Sequence, residues 1–275
     1  MEPNFDWLPI LLQCKENVIA HVHPLLKTLK EPQPDLGIGA GGDQMRLVDL
    51  AAEIAIIEVL LKHSISFTLV SEESGVKEYG ANPKACYVTV DPVDGTTNLV
   101  RGLPFYCSSI AVSHKPMLSD VYVAIVADLF QGTAYTATKG KGAFRNGEKI
   151  KASAVTSLAE AVIGLDLNTY KGKDIAPKLS ELIMNTRHIR HFGANALELC
   201  FVADGSTDAF VDIRGKLRTT DVAAGFLILK EAGGTISAPD GNPVDIELNP
   251  QKTLTFVASG NVKIHRAILG LLELK

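Results

Sequence analysis

Three groups of acidic residues carry the chemistry this sequence could perform, and each stands at the end of a predicted element. Glu72-Glu73 follows the apolar run 67–70. Asp91-Pro92-Val93-Asp94-Gly95-Thr96-Thr97-Asn98 follows the run 85–90. Asp221 opens an apolar stretch that closes on Gly233-Gly234. In the middle group Pro92 fixes φ and pushes Asp91 toward extended backbone, so the strand is expected to stop there with its carboxylate beyond the sheet edge. Asp94, three residues on, is near enough to share a cation with Asp91. Gly95 allows a tight turn, after which the N–H groups of Gly95, Thr96 and Thr97 can receive an anion. Carboxylates for cations beside N–H groups for an anion are what metal-assisted phosphate chemistry requires. An Asp-Gly pair alone is an ordinary turn, Asp221 alone a helix N-cap, and Glu72-Glu73 alone a solvated loop pair. Their combination exceeds what turns and caps need.

The elements that must position these acids follow from periodicity. Leu8, Leu11, Leu12, Val18, Ile19 and Val22 recur at helical spacing until Pro24 and the Pro32/Pro34 pair. Residues 35–42 form a glycine-rich loop expected to be mobile. A helix follows, with Leu47, Leu50, Ala51, Ile54, Ile57 and Leu61 as its apolar stripe and Arg46, Asp49, Glu53 and Lys62 elsewhere. Residues 67–70, 85–90, 108–113, 121–126 and 133–137 read as strands of a mainly antiparallel sheet, and Asn146-Gly147 as a two-residue hairpin turn. Beyond residue 152, strands at 162–167, 187–192, 208–213 and 253–258 alternate with helices at 174–185, 194–204, 221–232 and 262–274. The division expected is an α+β half, residues 1–152, carrying the acidic motifs, and an α/β half, residues 153–275, completing the site.

The chain has 275 residues, 46% hydrophobic and 21% charged, as expected of a globular protein with a substantial core. Its 27 Lys+Arg against 31 Asp+Glu give a net charge of −4, a poor match for nucleic-acid binding. No run approaches the ~20 apolar residues of a membrane span, and no cationic secretion signal opens the sequence. The four cysteines, Cys14, Cys86, Cys107 and Cys200, lack Cys-x-x-Cys spacing and read as reduced, buried residues. A cytoplasmic, enzyme-sized protein is the expectation.

Glu72-Glu73-Ser74, Asp91 to Asn98, and Asp221-Val-Ala-Ala-Gly225 with Glu231-Ala-Gly-Gly234 resemble the inositol monophosphatase superfamily. Residues 139–147 and Gly193-Ala-Asn-Ala-Leu-Glu-Leu-Cys200 match its patterns too, so the likeness covers roughly residues 8–272. The resemblance implies a layered α/β/α/β/α sandwich of the sugar-phosphatase fold, a homodimer, and Mg²⁺-dependent hydrolysis of a phosphate monoester by direct attack of water. It implies two or three Mg²⁺ per site, with Mn²⁺ as a substitute. Glu72, Asp91 and the Val93 carbonyl would hold one ion, Asp91, Asp94 and Asp221 a second, and Glu72 with Asp43 a weaker third. Thr96, paired with Asp43, would orient the water while the amides of Gly95 and Thr96 hold the phosphate.

On the substrate side, Thr220 stands where inositol enzymes of the eukaryotic type commonly carry Trp. The basic segment 212–221 is more similar to the archaeal-type members that act as both fructose-1,6-bisphosphatase and inositol-1-monophosphatase. Arg190, Arg214, Lys216 and Arg218, with Tyr170 and Lys173, are candidates to meet a second phosphate; Asp212 would contact a sugar or inositol hydroxyl, and Ala194 lines the substrate. The partner expected is thus a small phosphorylated sugar or cyclitol. A haloacid-dehalogenase-type mechanism needs Asp-x-Asp, whereas two residues separate Asp91 from Asp94. A 3′-phosphoadenosine-5′-phosphate phosphatase and a non-catalytic sugar-phosphate-binding protein remain the alternatives.

Overall fold

The computed structural model describes residues 5–29, 34–170 and 175–272. Helices α1 (Trp7–Leu25) and α2 (Leu47–Lys62) precede an eight-stranded sheet. Its strands are β1 (Phe67–Ser71), β2 (Gly75–Tyr79), β3 (Tyr87–Asp94), β4 (Cys107–Ser113), β5 (Val121–Asp128), β6 (Ala134–Thr138), β7 (Gly142–Arg145) and β8 (Glu148–Lys149), with the short helix α3 (Thr96–Arg101) after β3. They lie in the order β2-β1-β3-β4-β5-β6-β7-β8, and every pair is antiparallel except β1 with β3. The remainder supplies β9 (Val162–Leu165), α4 (Ala176–Asn185), β10 (His188–Arg190), α5 (Asn195–Ala203), β11 (Ala209–Arg218), α6 (Thr219–Glu231), β12 (Thr235–Ser237), β13 (Thr253–Ser259) and α7 (Val262–Leu271). Its five strands form a second sheet, β10-β9-β11-β13-β12.

Five layers follow from how the pleat sorts side chains, since neighbours along a strand face opposite ways. Ile110 and Val123 turn toward α1 and α2, joining Leu11, Val18, Ile56 and Leu60. Ala111 and Ala124 turn the other way, into a central core with α5, α6 and Phe210 and Phe256 of the second sheet. Val211 and Val257, one residue along from those aromatics, pack with Leu179 and Leu182 of α4 and Ile264 and Ile268 of α7. The molecule is therefore the α/β/α/β/α sandwich expected. Residues 67–149 build one sheet and residues 162–259 the other, with α5 and α6 between them.

Several local features depart from the expectations. Helix α1 runs through Pro24 to Leu25. In α2 the inward face is Val48, Ala52, Ala55, Ile56, Val59 and Leu60 together with Asp49 and Glu53, while Ile54 and Leu61 of the anticipated stripe are exposed. The helix is apolar almost all round, so apolarity does not fix its rotation, and the two acids face inward to reach partners described below. Strand β3 does not stop at Pro92 but continues to Asp94 across a bulge: the three steps from Asp91 to Asp94 oppose the two steps from Ser109 to Cys107 on β4. A bulge re-aims side chains and is one of the few sheet positions where Pro is tolerated. The hairpin turn forms as expected, with φ of 50° at Asn146 and 83° at Gly147 between β7 and β8. All four cysteines are buried and free, and among the described residues no helix is long and apolar enough to cross a membrane.

Candidate metal centre

Four segments bring their acids together where the eight-stranded sheet meets α5 and α6. Glu72 follows β1, Asp91 and Asp94 sit on the two sides of the β3 bulge, and Asp221 lies in the first turn of α6. One carboxylate oxygen each from Glu72, Asp91 and Asp221 lie within 4.8 Å of one another. Asp221 is the third residue of its helix rather than the N-cap. Its Oδ2 accepts from the Arg218 N–H at 3.0 Å and its Oδ1 from the Thr220 hydroxyl at 3.0 Å. Asp94 Oδ2 accepts the Ala196 N–H of α5 at 2.6 Å. Among the described residues Arg218 is the cation set among these acids: its Nη1 lies 2.5 Å from Glu72 Oε1 and 3.9 Å from Asp221 Oδ1.

Burial raises the whole group. Glu72 is pushed up to about 9 by burial and then by Asp221, with Arg218 opposing. Asp94 rises to about 7, mainly by burial and the charge of Asp221. Asp91 rises well above the usual carboxylate range through burial, Glu72 and Asp94. Asp221 is raised by burial and partly relieved by Arg218. Carboxylates crowded in this way have more negative charge than one guanidinium can balance. An all-oxygen set of this kind suits a hard divalent cation such as Mg²⁺. The residues present fit the ion: Glu72, Asp91, Asp94 and Asp221 offer carboxylates. The Val93 carbonyl, which accepts the Thr96 hydroxyl at 2.8 Å, keeps a second lone pair.

Beside the acids, Gly95 adopts φ 87°. A Cβ there would sit 3.0 Å from both the Ala194 Cβ and the Phe105 carbonyl, so this turn admits glycine alone without strain. It delivers Thr96 to the start of α3, whose first N–H groups have no partner inside the helix. The Thr96 hydroxyl meets Asp49 Oδ1 at 3.2 Å. This corrects the expected pairing with Asp43. Asp49 lies buried in the first turn of α2, accepts the Arg46 N–H at 3.0 Å, and is pushed up to about 6 by burial. Asp43 belongs to the glycine-rich loop, is largely exposed, and is held by Arg218. The second inward acid of α2, Glu53, accepts the Ser71 hydroxyl and lies 3.3 Å from the Ser74 N–H, bracing the segment that carries Glu72. Glu73, beside it, is pushed up to about 8 by burial and by Asp49 and Glu53.

The acids and the Thr96 turn line a cavity of about 410 Å³. The family model described as the inositol monophosphatase family matches residues 17–272. The chain belongs to the inositol monophosphatase family. A fructose-1,6-bisphosphatase/inositol-1-monophosphatase of Methanothermobacter thermautotrophicus is 35% identical over 278 residues, covering 98% of this chain and 97% of that protein. A bifunctional NADP phosphatase/NAD kinase of Methanococcus maripaludis is 33% identical over 97% of this chain, which spans 49% of that longer protein. Among solved structures, an inositol monophosphatase–fructose 1,6-bisphosphatase superposes with a TM-score of 0.85 at 28% identity, covering 98% of this chain and all of the other. The protein is a phosphoric monoester hydrolase.

In this inositol monophosphatase family member the substrate side differs from the sequence expectation. A second cavity of about 590 Å³ adjoins the first, and Asp43, Asn168, Asn195, Arg218 and Asp221 line both. Arg214 lines it but is committed: its Nη2 lies 2.6 Å from Asp166 Oδ2, and its Nε and Nη2 both donate to Asp212. Asp212 is wholly buried beneath that pair, which removes it from contact with a substrate hydroxyl. Arg190 sits exposed on the edge strand β10, donates to the Ile189 carbonyl, and lines neither cavity. Lys216 and Tyr170 do border the second cavity, with Lys216 Nζ 2.8 Å from the Tyr170 carbonyl. Ala194 is buried against Gly95, and its neighbour Asn195 faces the cavities instead. Lys173 lies outside the described residues.

Asp49 and Asn195 are the functional candidates that sequence reasoning missed. Asp49 is one of three acids on α2, with Glu53 and Glu58, and residue type alone does not mark it as the one that meets Thr96.

Proposed function

We propose that the protein hydrolyses a phosphate monoester of a small sugar or cyclitol, fructose-1,6-bisphosphate or inositol-1-phosphate, with two or three Mg²⁺ ions at this centre. The observation that carries the reading is the convergence of Glu72, Asp91 and Asp221 within 4.8 Å, beside a threonine hydroxyl tied to a buried aspartate. Glu72, Asp91, Asp94, Asp221 and the Val93 carbonyl would hold the ions. Bound divalent ions supply positive charge to the phosphoryl oxygens as negative charge develops on them. The N–H groups of Gly95 and Thr96 orient the phosphate. Thr96 donates its hydroxyl proton toward Asp49 and turns a lone pair to the attacking water. Asp49 is thereby placed to receive a proton relayed through the hydroxyl. Burial pushes its pKa up to about 6, which makes it a better proton acceptor near neutral pH than an ordinary aspartate.

The test is phosphate release from fructose-1,6-bisphosphate, inositol-1-phosphate, NADP⁺ and 3′-phosphoadenosine-5′-phosphate, with Mg²⁺, with Mn²⁺ and with EDTA. Metal-dependent release from a sugar or cyclitol phosphate is expected. Binding of all four without turnover would sink the hydrolase reading in favour of a sugar-phosphate-binding protein. A second reading, removal of the 2′-phosphate of NADP⁺, is supported by the Methanococcus relative and by the adjoining cavity, where the Tyr170 ring stands 76% exposed. A ring so placed offers a stacking face for a base. A homodimer, which rests on the family resemblance, and a cytoplasmic working place, which rests on the composition and the cysteine spacing, belong to the same proposal.

A further inference from the structure

Every nitrogen of the Arg218 guanidinium is engaged, and its partners come from two separate segments, the glycine-rich loop and the residues after β1. Nε donates to the Gly41 carbonyl at 2.9 Å, Nη1 to Glu72 Oε1 at 2.5 Å, and Nη2 to the Asp43 carboxylate. Arg218 itself is the last residue of β11 and the N-cap of α6, the helix that bears Asp221. The glycine-rich loop is bound to the same place through its backbone: the N–H groups of Ala40 and Gly41 donate to the carbonyls of Glu73 and Glu72 at 2.9 and 2.7 Å. At Gly41 a Cβ would fall 2.7 Å from Glu72 Cγ and 2.8 Å from Arg218 Nε, so the loop, the acid and the guanidinium close together only because that residue has no side chain. A planar fork with donors on several sides is the one side chain that could join these partners at once.

We infer that Arg218 is the resident counter-cation of the acid cluster, holding Glu72, Asp221 and the glycine-rich loop in place before a divalent ion arrives and lowering the affinity with which that ion binds. The inference rests on the divalent-ion reading above. Its physical content is a competition for charge. The guanidinium already contributes one positive charge beside Glu72 and Asp221. An ion entering among the same carboxylates gains less from them and is repelled by Arg218. The same contacts tie down residues 39–43, so the loop should stay closed over the metal-free centre.

The experiment compares wild type, Arg218→Met and Arg218→Lys after EDTA stripping, using Mn²⁺ as the probe. Three quantities are read: the dissociation constant by titration calorimetry, the melting temperature with and without saturating Mn²⁺, and limited proteolysis within residues 34–46. Arg218→Met should bind Mn²⁺ about tenfold more tightly. It should also melt lower than wild type without metal but close to it when saturated, and be cut faster in the loop when metal-free. Equal or weaker Mn²⁺ binding, or a melting deficit that persists unchanged at saturation, overturns the inference and leaves a merely structural arginine. If Arg218→Met does not fold, Arg218→Lys decides. It keeps the charge but loses the fork, so Mn²⁺ affinity should stay within about threefold of wild type while loop cleavage accelerates, and wild-type cleavage rates overturn the inference. Wild type failing to bind Mn²⁺ at all would remove the divalent-ion reading itself, a result distinct from unchanged affinity in the variant.

Discussion

The Thr96 hydroxyl has one proton and two acceptors within reach, Asp49 Oδ1 at 3.2 Å and the Val93 carbonyl at 2.8 Å. Only when the proton points to Asp49 can the hydroxyl relay another from water, so Asp49 is the deciding partner. Asp49→Asn should lower kcat by about a hundredfold or more while changing KM little, as expected when a proton acceptor is removed. The acid limb of the kcat profile, placed near pH 6 by the buried carboxyl, should vanish with it. Arg214 makes a different residue-scale prediction. It stands between the buried carboxylates of Asp166 and Asp212, so Arg214→Ala leaves both uncompensated and should cost about 3–5 kcal/mol in denaturant unfolding. The metal-ligand candidates were legible because their residue types and spacings exceed what turns need. Asp49 was not, because an acid on a helix that also carries Glu53 and Glu58 looks the same whether it faces water or a hydroxyl. Nor were the commitments of Arg214 and Asp212, which depend on Asp166, a residue 46 positions away from Asp212 in the sequence.

At the scale of elements, most helices and strands followed from periodicity, and the departures share one cause: tertiary contacts choose among options that local pattern leaves open. Helix α2 is apolar on most of its surface, so its rotation is set by Asp49 reaching Thr96 and Glu53 reaching Ser71. Strand β2 was hidden because residues 75–79, Gly-Val-Lys-Glu-Tyr, are mostly exposed and carry only a weak alternating signal at the sheet edge. The β3 bulge could not be read from Pro92, which signals an interruption but not that pairing resumes at Asp94. Helices α5 and α6 meet closely at Gly225, where a Cβ would lie 2.7 Å from Leu199 Cδ1 and 2.8 Å from Leu199 Cβ. Gly225→Ala should therefore destabilise the protein by about 1–3 kcal/mol through overpacking, despite its better helix propensity. Because α6 also carries Asp221, the same variant should weaken Mg²⁺ binding when titrated calorimetrically.

Across the whole molecule, the centre is built where two sheets and the helices between them meet, so burial that stabilises the fold also sets the acidity of its groups. Glu198 of α5 shows the linkage away from the ion ligands. Its Oε1 accepts the N–H groups of Phe192 and Gly193 at 3.3 and 3.0 Å, and burial pushes the carboxyl up to about 8 from 4.5. A folded carboxyl that keeps its proton longer than the unfolded one contributes stability that is full below pH ~4.5 and is lost as pH rises toward 8. Wild type should thus lose more unfolding free energy between pH 5 and pH 8, in EDTA, than Glu198→Gln, which cannot ionise; parallel slopes would contradict this. The five-layer sandwich was expected from the family resemblance carried by the acidic motifs, whereas the depth at which Glu198 sits was not legible in the sequence.

Asn98, the last residue of the acidic motif, spends its side-chain amide on backbone carbonyls rather than on the acids. Its Nδ2 donates to the Phe105 carbonyl at 2.8 Å and to the Phe192 carbonyl at 2.7 Å, and behind it the Phe105 and Phe192 rings stack at 4.7 Å. It is a rivet rather than a reagent, fastening the turn that follows the bulge to the stretch that leads into α5. Asn98→Ala should accordingly masquerade as a ligand mutant in an activity screen, and raising the Mg²⁺ concentration should restore much of its turnover, a rescue that Asp94→Asn should not share.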